Sequence, residues 1–416
     1  SGEATHREAV LPNYLIDLEC CECGHTARAD DRANVCDECG ASYLVRYDLE
    51  AAAGGLSKED WAARPPGLWR YRELLPVGDP GFEINLGEGG TPTTRLPALA
   101  KSLGLDEVWI KDEGLNPTGT FKDRGAATGA ARAWELGETV LAMPTAGNAG
   151  GAWSAYCARA GLTLHVAMPA DTPKVNMAEC LAYGAWLFLV NGLISDAGAL
   201  IAAACAEHGW YDVSTLKEPY RVEGKKTMGL EIAEQFGYEL PDVILYPTGG
   251  GVGLIGLWKA FNELEGLGWI GSERPRLVCV QAEGCAPVVR AFAAGADSCE
   301  FFADATTHAA GLRVPRPFAD RLVMRILQET EGTAIAVSEE EIAAAVLELA
   351  RTEGHYVCPE GAAAVAALPH LRESGWLRPE DRTVILNTGT ALKYVGDVDL
   401  AGTPVLEAGG VLVPQT

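Results

Sequence analysis

From about Leu96 onward, short apolar runs alternate with longer amphipathic, alanine-rich stretches. The runs at 107–111, 139–143, 163–168, 185–190, 243–246, 277–281 and 383–386 are too short for helices and read as strands. Helical periodicity at about 120–136, 150–161, 196–208, 224–237, 252–265, 338–353 and 360–373 separates them. Ser338 followed by Glu339-Glu340-Glu341 marks a capped helix start, where acids favour the dipole. This alternation predicts an α/β fold with parallel sheets covered on both faces. Nearer the start, 43–47 reads as a short strand, and the alanine-, glycine- and proline-bearing stretch 49–81 as a linker wrapping the main body.

Four loops at strand-to-helix junctions carry the candidate chemistry. In Asn116-Pro117-Thr118-Gly119-Thr120-Phe121-Lys122-Asp123-Arg124-Gly125, a lysine stands where a Gly/Pro loop becomes a helix. The partial positive charge of a helix start biases its amine toward the neutral, nucleophilic form that a Schiff base requires. The plain alternative is a solvated surface lysine. Thr248-Gly249-Gly250-Gly251-Val252-Gly253 follows a buried strand and opens a helix, which presents several N–H groups to a phosphate. Its order departs from a dinucleotide fingerprint and it carries no Walker lysine, so a single phosphate on a small cofactor suits it better than NAD or ATP. Thr145-Ala146-Gly147-Asn148 offers N–H groups to a carboxylate and the Asn148 amide to a phenolic oxygen. Asn387-Thr388-Gly389-Thr390 offers a hydroxyl to a ring nitrogen.

Taken together, these segments resemble fold-type II pyridoxal-phosphate enzymes, most closely the threonine synthase group, over roughly residues 80–395 and in the family's order. Leu86-Gly87-Glu88-Gly89-Gly90-Thr91-Pro92 is similar to that group's opening signature. The resemblance implies that Lys122 is the catalytic, Schiff-base lysine and that Asn148 lies beside the cofactor's 3-hydroxyl. It places Gly249, Gly250, Gly251, Val252 and Gly253 around the cofactor phosphate and Thr388 at the pyridine nitrogen. Arg221-Val222-Glu223-Gly224-Lys225-Lys226-Thr227 resembles the family's Arg-x-Glu-Gly-x-Lys-Thr run. That match implies that Arg221 helps bind substrate phosphate, and with the N–H groups of Thr145, Ala146 and Gly147 it makes the expected substrate site. The implied architecture is the tryptophan synthase β-like one, with two parallel-sheet domains. Residues 49–105 would be the linker and first part of the large domain, 106–216 the small domain carrying the lysine, 217–400 the remaining large domain and 401–416 a tail. The implied activity is that of a carbon–oxygen lyase converting O-phospho-L-homoserine and water to L-threonine and phosphate by γ-elimination and β-addition, in a homodimer.

The substrate side departs from the family pattern. Ala149 stands where many threonine synthases have threonine, and Ser214-Thr215-Leu216-Lys217-Glu218-Pro219-Tyr220 replaces an Asn-Ser-x-Asn run. Two other functions therefore stay open. One is β-replacement or β-elimination on O-phosphoserine, serine or threonine, as in cysteate synthase-like enzymes. The other is a zinc-ribbon interaction protein with an inactive enzyme body.

Composition narrows the partners. A formal charge of −24 over 416 residues disfavours nucleic acid and anionic membranes, and no apolar run is long enough to span a bilayer. An anionic, phosphorylated amino-acid substrate then needs a local positive cluster, for which Arg221, Lys225 and Lys226 are candidates. No signal-peptide pattern opens the chain, and seven of the 12 cysteines are scattered singly, as expected in a reduced cytoplasm. The other five lie near the start. Cys20-x2-Cys23 and Cys36-x2-Cys39, each followed by glycine, make two knuckles with the spacing of a four-thiolate zinc site. Cys21 offers a shifted register and His25 a substitute ligand. Four sulfurs leave no open position, so the zinc is expected to be structural, in a ribbon-like segment over 1–48. Its acidic residues make it a poor reader of phosphate backbones.

Overall fold

The computed structural model describes residues 13–398 together with positions 401, 403 and 408. The first twelve residues of the expected 1–48 segment, and most of the expected 401–416 tail, lie outside the described residues.

The strands Thr333–Val337, Arg276–Ala282, Val243–Pro247, Thr383–Asn387, Val108–Asp112 and Thr93–Arg95 form one six-stranded sheet in that order, parallel except at the last pairing. Val243–Pro247 and Thr383–Asn387 are buried at every position, which explains their unbroken apolar runs. A four-stranded parallel sheet follows the order Trp186–Val190, Thr163–Pro169, Val140–Pro144, Tyr211–Asp212. Each of the seven expected strands is present, with ends moved by no more than one residue.

One strand joins a different sheet from the one its position in the chain suggested. Val108–Asp112, counted above with the 106–216 unit, pairs along Thr383–Asn387 in the six-stranded sheet. Val108 and Ile110 are buried there in a core shared with Val243, Leu245 and Ile385. The following helix, Lys122–Glu135, crosses to the other unit, where Ala126, Ala127, Ala130 and Ala131 pack with Leu141 and Trp153. Lys122 thus sits at the passage from one sheet to the other.

The N-terminal ribbon is a three-stranded antiparallel sheet with Leu15–Cys20 between Thr26–Arg28 and Tyr43–Tyr47. Its inner face does not form a separate core. Leu18, Val45 and Tyr47 belong to the same buried cluster as Leu216, Tyr220 and Phe261 of the body. The helices Leu49–Gly55 and Lys58–Ala62 and the turn Leu68–Leu74 then wrap the large unit. They are held by buried Trp61, whose ring stands edge-on to Tyr71 at 4.8 Å and to Trp269 at 4.7 Å.

Candidate active site and metal centre

Strand order assembles the candidate site. Thr383–Asn387 lies between Val243–Pro247 and Val108–Asp112, and all three run parallel. Thr388 therefore emerges between the glycine loop and the Lys122 loop at the carboxyl edge, where open α/β sheets bind ligands. The loops are stitched together: the Phe121 N–H donates to the Thr388 carbonyl at 3.0 Å, and the Thr390 N–H to the Gly119 carbonyl at 2.9 Å. Asn148 opens the helix Asn148–Ala160 after Val140–Pro144 of the other sheet.

Lys122 is the first residue of its helix and is half-buried. Among the described residues its Nζ has no hydrogen-bond partner; it lies 4.5 Å from the Phe121 ring centroid. Burial lowers its pKa to about 8, assisted by the charge of Arg221 and opposed by that of Glu360. The amine is thus closer to its neutral form than an exposed lysine would be.

The loop before it is rigidly framed. Asp123 accepts the Thr118 N–H at 2.7 Å and the Thr118 hydroxyl, closing the loop on the helix start. Arg124, fully buried, donates to Glu113 Oε2 at 2.6 Å and to Glu231 Oε1 at 2.7 Å, and Lys111 adds a second cation 2.8 Å from Glu231. Gly90 N–H and Thr91 Oγ1 join this network through Glu231 and Glu113, at 2.8 Å and 2.6 Å. The Leu86–Pro92 signature therefore braces the lysine loop from behind.

The glycine loop opens the helix Val252–Gly266, whose start has no side-chain cap and so leaves N–H groups for an anion. Gly251 has φ +81°, and a Cβ there would meet Val323 at 2.6 Å. A Cβ on Gly249 would collide with the Gly311 carbonyl. Gly250 is more open: a Cβ there would lie 3.4 Å from Thr215 Cγ2. The helix Asn148–Ala160 also starts without a side-chain cap, after a Thr145–Gly147 turn in which Thr145 Oγ1 accepts the Gly147 N–H at 3.2 Å. Thr388 is buried, with its hydroxyl 3.7 Å from Cys358 Sγ.

These residues fit pyridoxal phosphate. An amine with no hydrogen-bond partner among the described residues, an uncapped glycine-lined helix start and a hydroxyl stand at neighbouring strand ends of one sheet, and a carboxamide opens a helix of the other, which are the kinds of group that cofactor needs.

Arg221 is buried and already well partnered. It donates to Glu218 Oε1 at 3.0 Å, to Thr215 Oγ1 at 2.9 Å and to the Val213 carbonyl. The expected cationic cluster divides. Lys225 donates to the Phe121 carbonyl and is held well below the usual lysine range by burial and the charges of Lys122 and Arg221. Lys226 points away to Glu223 at 2.5 Å and Glu263 at 2.8 Å, beneath Tyr47 of the ribbon.

Three residues at the site had no sequence signal. Tyr394 donates to Glu360 Oε1 at 3.0 Å and receives Asn148 Nδ2 at 3.4 Å. Lys393 reaches Asn148 Oδ1 at 3.3 Å and Glu179 Oε1 at 2.8 Å. The segment Ala391–Asp397 thereby bridges the two sheets beside Asn148. Glu360 also accepts the Gly311 N–H at 2.7 Å. An acid in the first turn after Pro359 reads simply as helix-dipole compensation.

In the ribbon, the Sγ atoms of Cys20, Cys23, Cys36 and Cys39 all lie within 4.8 Å of one another. Cys20 and Cys39 are 3.4 Å apart, and Cys23 and Cys36 3.6 Å. Tetrahedral zinc–thiolate bonds of about 2.3 Å require sulfurs roughly 3.8 Å apart, so the set fits a structural zinc. Cys21 stays outside: burial pushes its thiol up to about 12, and its carbonyl accepts Arg325 Nη2 at 2.6 Å. His25 enters through its backbone, its carbonyl accepting the Cys20 N–H at 2.8 Å. Among the described residues no helix is long and apolar enough to cross a membrane.

Residues 84–389 match the family model described as pyridoxal-phosphate dependent enzyme. The threonine synthase of Methanocaldococcus jannaschii is 36% identical over 375 residues, covering 90% of this chain and 92% of that one. The threonine synthase of Methanosarcina acetivorans is 35% identical over 381 residues, covering 91% and 92%. Among solved structures, maize serine racemase superposes with a TM-score of 0.64 at 21% identity, covering 75% of this chain and 90% of that one. Threonine deaminase isoform 2 from Solanum lycopersicum has a TM-score of 0.62 at 20% identity, covering 82% and 96%. The likeness to these two lies in the fold.

Proposed function

The chain belongs to the threonine synthase family of pyridoxal-phosphate-dependent lyases, and we propose that it converts O-phospho-L-homoserine and water to L-threonine and phosphate. The observation that carries this reading is the placement of Arg221. Its charge is felt by Lys122, and it holds Thr215 beside Gly250 of the glycine loop.

Bound through Lys122, pyridoxal phosphate supplies an electron sink for the electrons released at the substrate α-carbon. The N–H groups of Gly249, Gly250, Gly251, Val252 and Gly253 would hold its phosphate. Thr388 would donate its hydroxyl hydrogen to a neutral ring nitrogen, and Asn148 would hydrogen-bond the 3-hydroxyl. The N–H groups of Thr145, Ala146 and Gly147 orient the substrate carboxylate. Once the substrate amine has displaced it from the cofactor, the freed Lys122 amine would take the proton from the substrate α-carbon and return protons to neighbouring carbons. Arg221 and Thr215, an exposed residue whose hydroxyl accepts from Arg221, engage the phosphate that leaves the γ-carbon. The Lys393 and Tyr394 bridge holds the sheets together while water is excluded until the β-addition. A homodimer working in the cytoplasm belongs to the same reading, and none of the twelve cysteines is in a disulfide.

One observation favours a second reading. Glu218 already pairs with Arg221 at 3.0 Å, which reduces the positive charge offered to a leaving phosphate. β-Elimination or β-replacement on O-phosphoserine, serine or threonine would ask less of that arginine. The test is to incubate holoenzyme with O-phospho-L-homoserine and measure phosphate and threonine. Equal yields, absent in Lys122→Ala, are expected. Turnover of O-phospho-L-serine or serine with no threonine from O-phospho-L-homoserine would replace the first reading with the second.

A further inference from the structure

The ribbon grips the segment that leads from the small sheet to Arg221. Asn34 Nδ2 donates to the carbonyls of Asp212 at 2.6 Å and Lys217 at 3.0 Å. The buried Ser42 hydroxyl donates to the Leu216 carbonyl at 2.7 Å. In the opposite direction, the Tyr211 and Tyr220 hydroxyls donate to the ribbon carbonyls of Ala33 at 2.9 Å and Ala29 at 3.2 Å.

The gripped backbone is strained. Leu216 has φ +61°, a left-handed conformation that a γ-branched side chain rarely adopts, and its side chain is buried in the core shared with the ribbon. Such a conformation persists when its surroundings over-determine it. Here Asn34 and Ser42 hold the carbonyls of Leu216 and of Lys217 next to it. The residue before Leu216 is Thr215, which meets Arg221 and faces Gly250. Asn34 and Ser42 also flank the second cysteine knuckle. Val35 bridges Ser42 in antiparallel register, and the Cys36 N–H donates to the Ala41 carbonyl at 2.8 Å. These backbone links across the knuckle set the spacing of the two gripping side chains.

We propose that Asn34 and Ser42 are positioning residues for the anion end of the active site: they hold the Thr215–Leu216–Lys217 turn so that Thr215 and Arg221 meet the substrate's phosphate monoester. The ribbon is then part of the substrate site. This rests on the reading of Thr215 and Arg221 as anion contacts.

The test compares holoenzyme with Asn34→Ala/Ser42→Ala, with Ser42→Thr as the conservative control and Arg221→Ala as the reference. Four quantities are read: KM and kcat for O-phospho-L-homoserine, the calorimetric Kd of inorganic phosphate, cofactor content by visible absorbance, and amide hydrogen exchange across 214–218. In the double variant KM and the phosphate Kd are expected to rise about tenfold, with kcat within about twofold of wild type. Cofactor content stays unchanged, exchange across the turn quickens, and Ser42→Thr keeps wild-type values. A lowered melting temperature with unchanged KM and phosphate Kd would reduce the ribbon to a structural support and overturn the proposal. Raised values in Arg221→Ala but not in the double variant overturn the ribbon's role alone. Unchanged values in Arg221→Ala overturn the anion reading and this proposal with it.

Discussion

Tyr394 donates its hydroxyl hydrogen to Glu360 across 3.0 Å, joining the segment beside Asn148 to the first turn of the helix Pro359–Glu373. The same carboxylate carries the negative charge that Lys122 feels, while Arg221 carries the opposing positive one. Burial lowers the Lys122 pKa most, and these two residues, far from it in sequence, adjust it in opposite senses.

That balance gives a pH test with a definite sign. Cofactor capture by cofactor-free protein requires neutral Lys122, so its rate should rise with pH through about 8. Glu360→Gln removes a charge that stabilises the ammonium and should move the inflection to lower pH. Arg221→Ala removes a repelling charge and should move it to higher pH. Stopped-flow absorbance after adding pyridoxal phosphate reads both; shifts of the reverse sign would refute this electrostatic arrangement.

Lys122→Ala should abolish the visible absorbance of covalently held cofactor and lower turnover by at least about 10³-fold. The fold should survive, since among the described residues Lys122 Nζ has no hydrogen-bond partner. Circular dichroism alongside the absorbance spectrum separates loss of attachment from loss of fold.

The buried network behind the lysine loop should be costly to break. Glu231→Gln leaves Arg124 and Lys111 short of one negative charge in a dry interior, which costs about 3–5 kcal/mol. Burial alone would raise the Glu231 pKa, but the charges of Arg124 and Lys111 outweigh it and hold the carboxyl well below its usual range. A depressed carboxylate contributes its full stability above its unfolded pKa and loses it as pH falls toward the folded value. Urea denaturation should therefore show the variant's deficit at neutral pH, with a shallower loss of stability on acidification than wild type.

Metal analysis separates the ribbon cysteines. Cys39→Ser should lose the metal and loosen the shared core around Leu18 and Val45, detected by metal release and a lowered melting temperature. Cys21→Ser should keep the metal, because Cys21 lies outside the four-sulfur cluster. Equal metal loss in both variants would refute the assigned ligand set.

Much of this protein is determined locally. Apolar runs such as 243–246 and 383–386 can only be buried strands, and the observed Val243–Pro247 and Thr383–Asn387 are buried throughout. Gly251 needs its positive φ, and the paired knuckles need their two-residue spacing, so the glycine loop and the metal ligands announce themselves in short motifs. Tertiary structure decided what depends on long-range pairing. Val108–Asp112 joined the large sheet because its apolar face completes that core. Tyr394, bonded to Glu360 34 positions before it, reached Asn148 only when the two sheets were brought together. The Leu216 turn is closed locally by the Lys217 N–H to the Ser214 carbonyl at 3.1 Å, but nothing near it in sequence announces the grip of the distant Asn34 and Ser42 on its carbonyls.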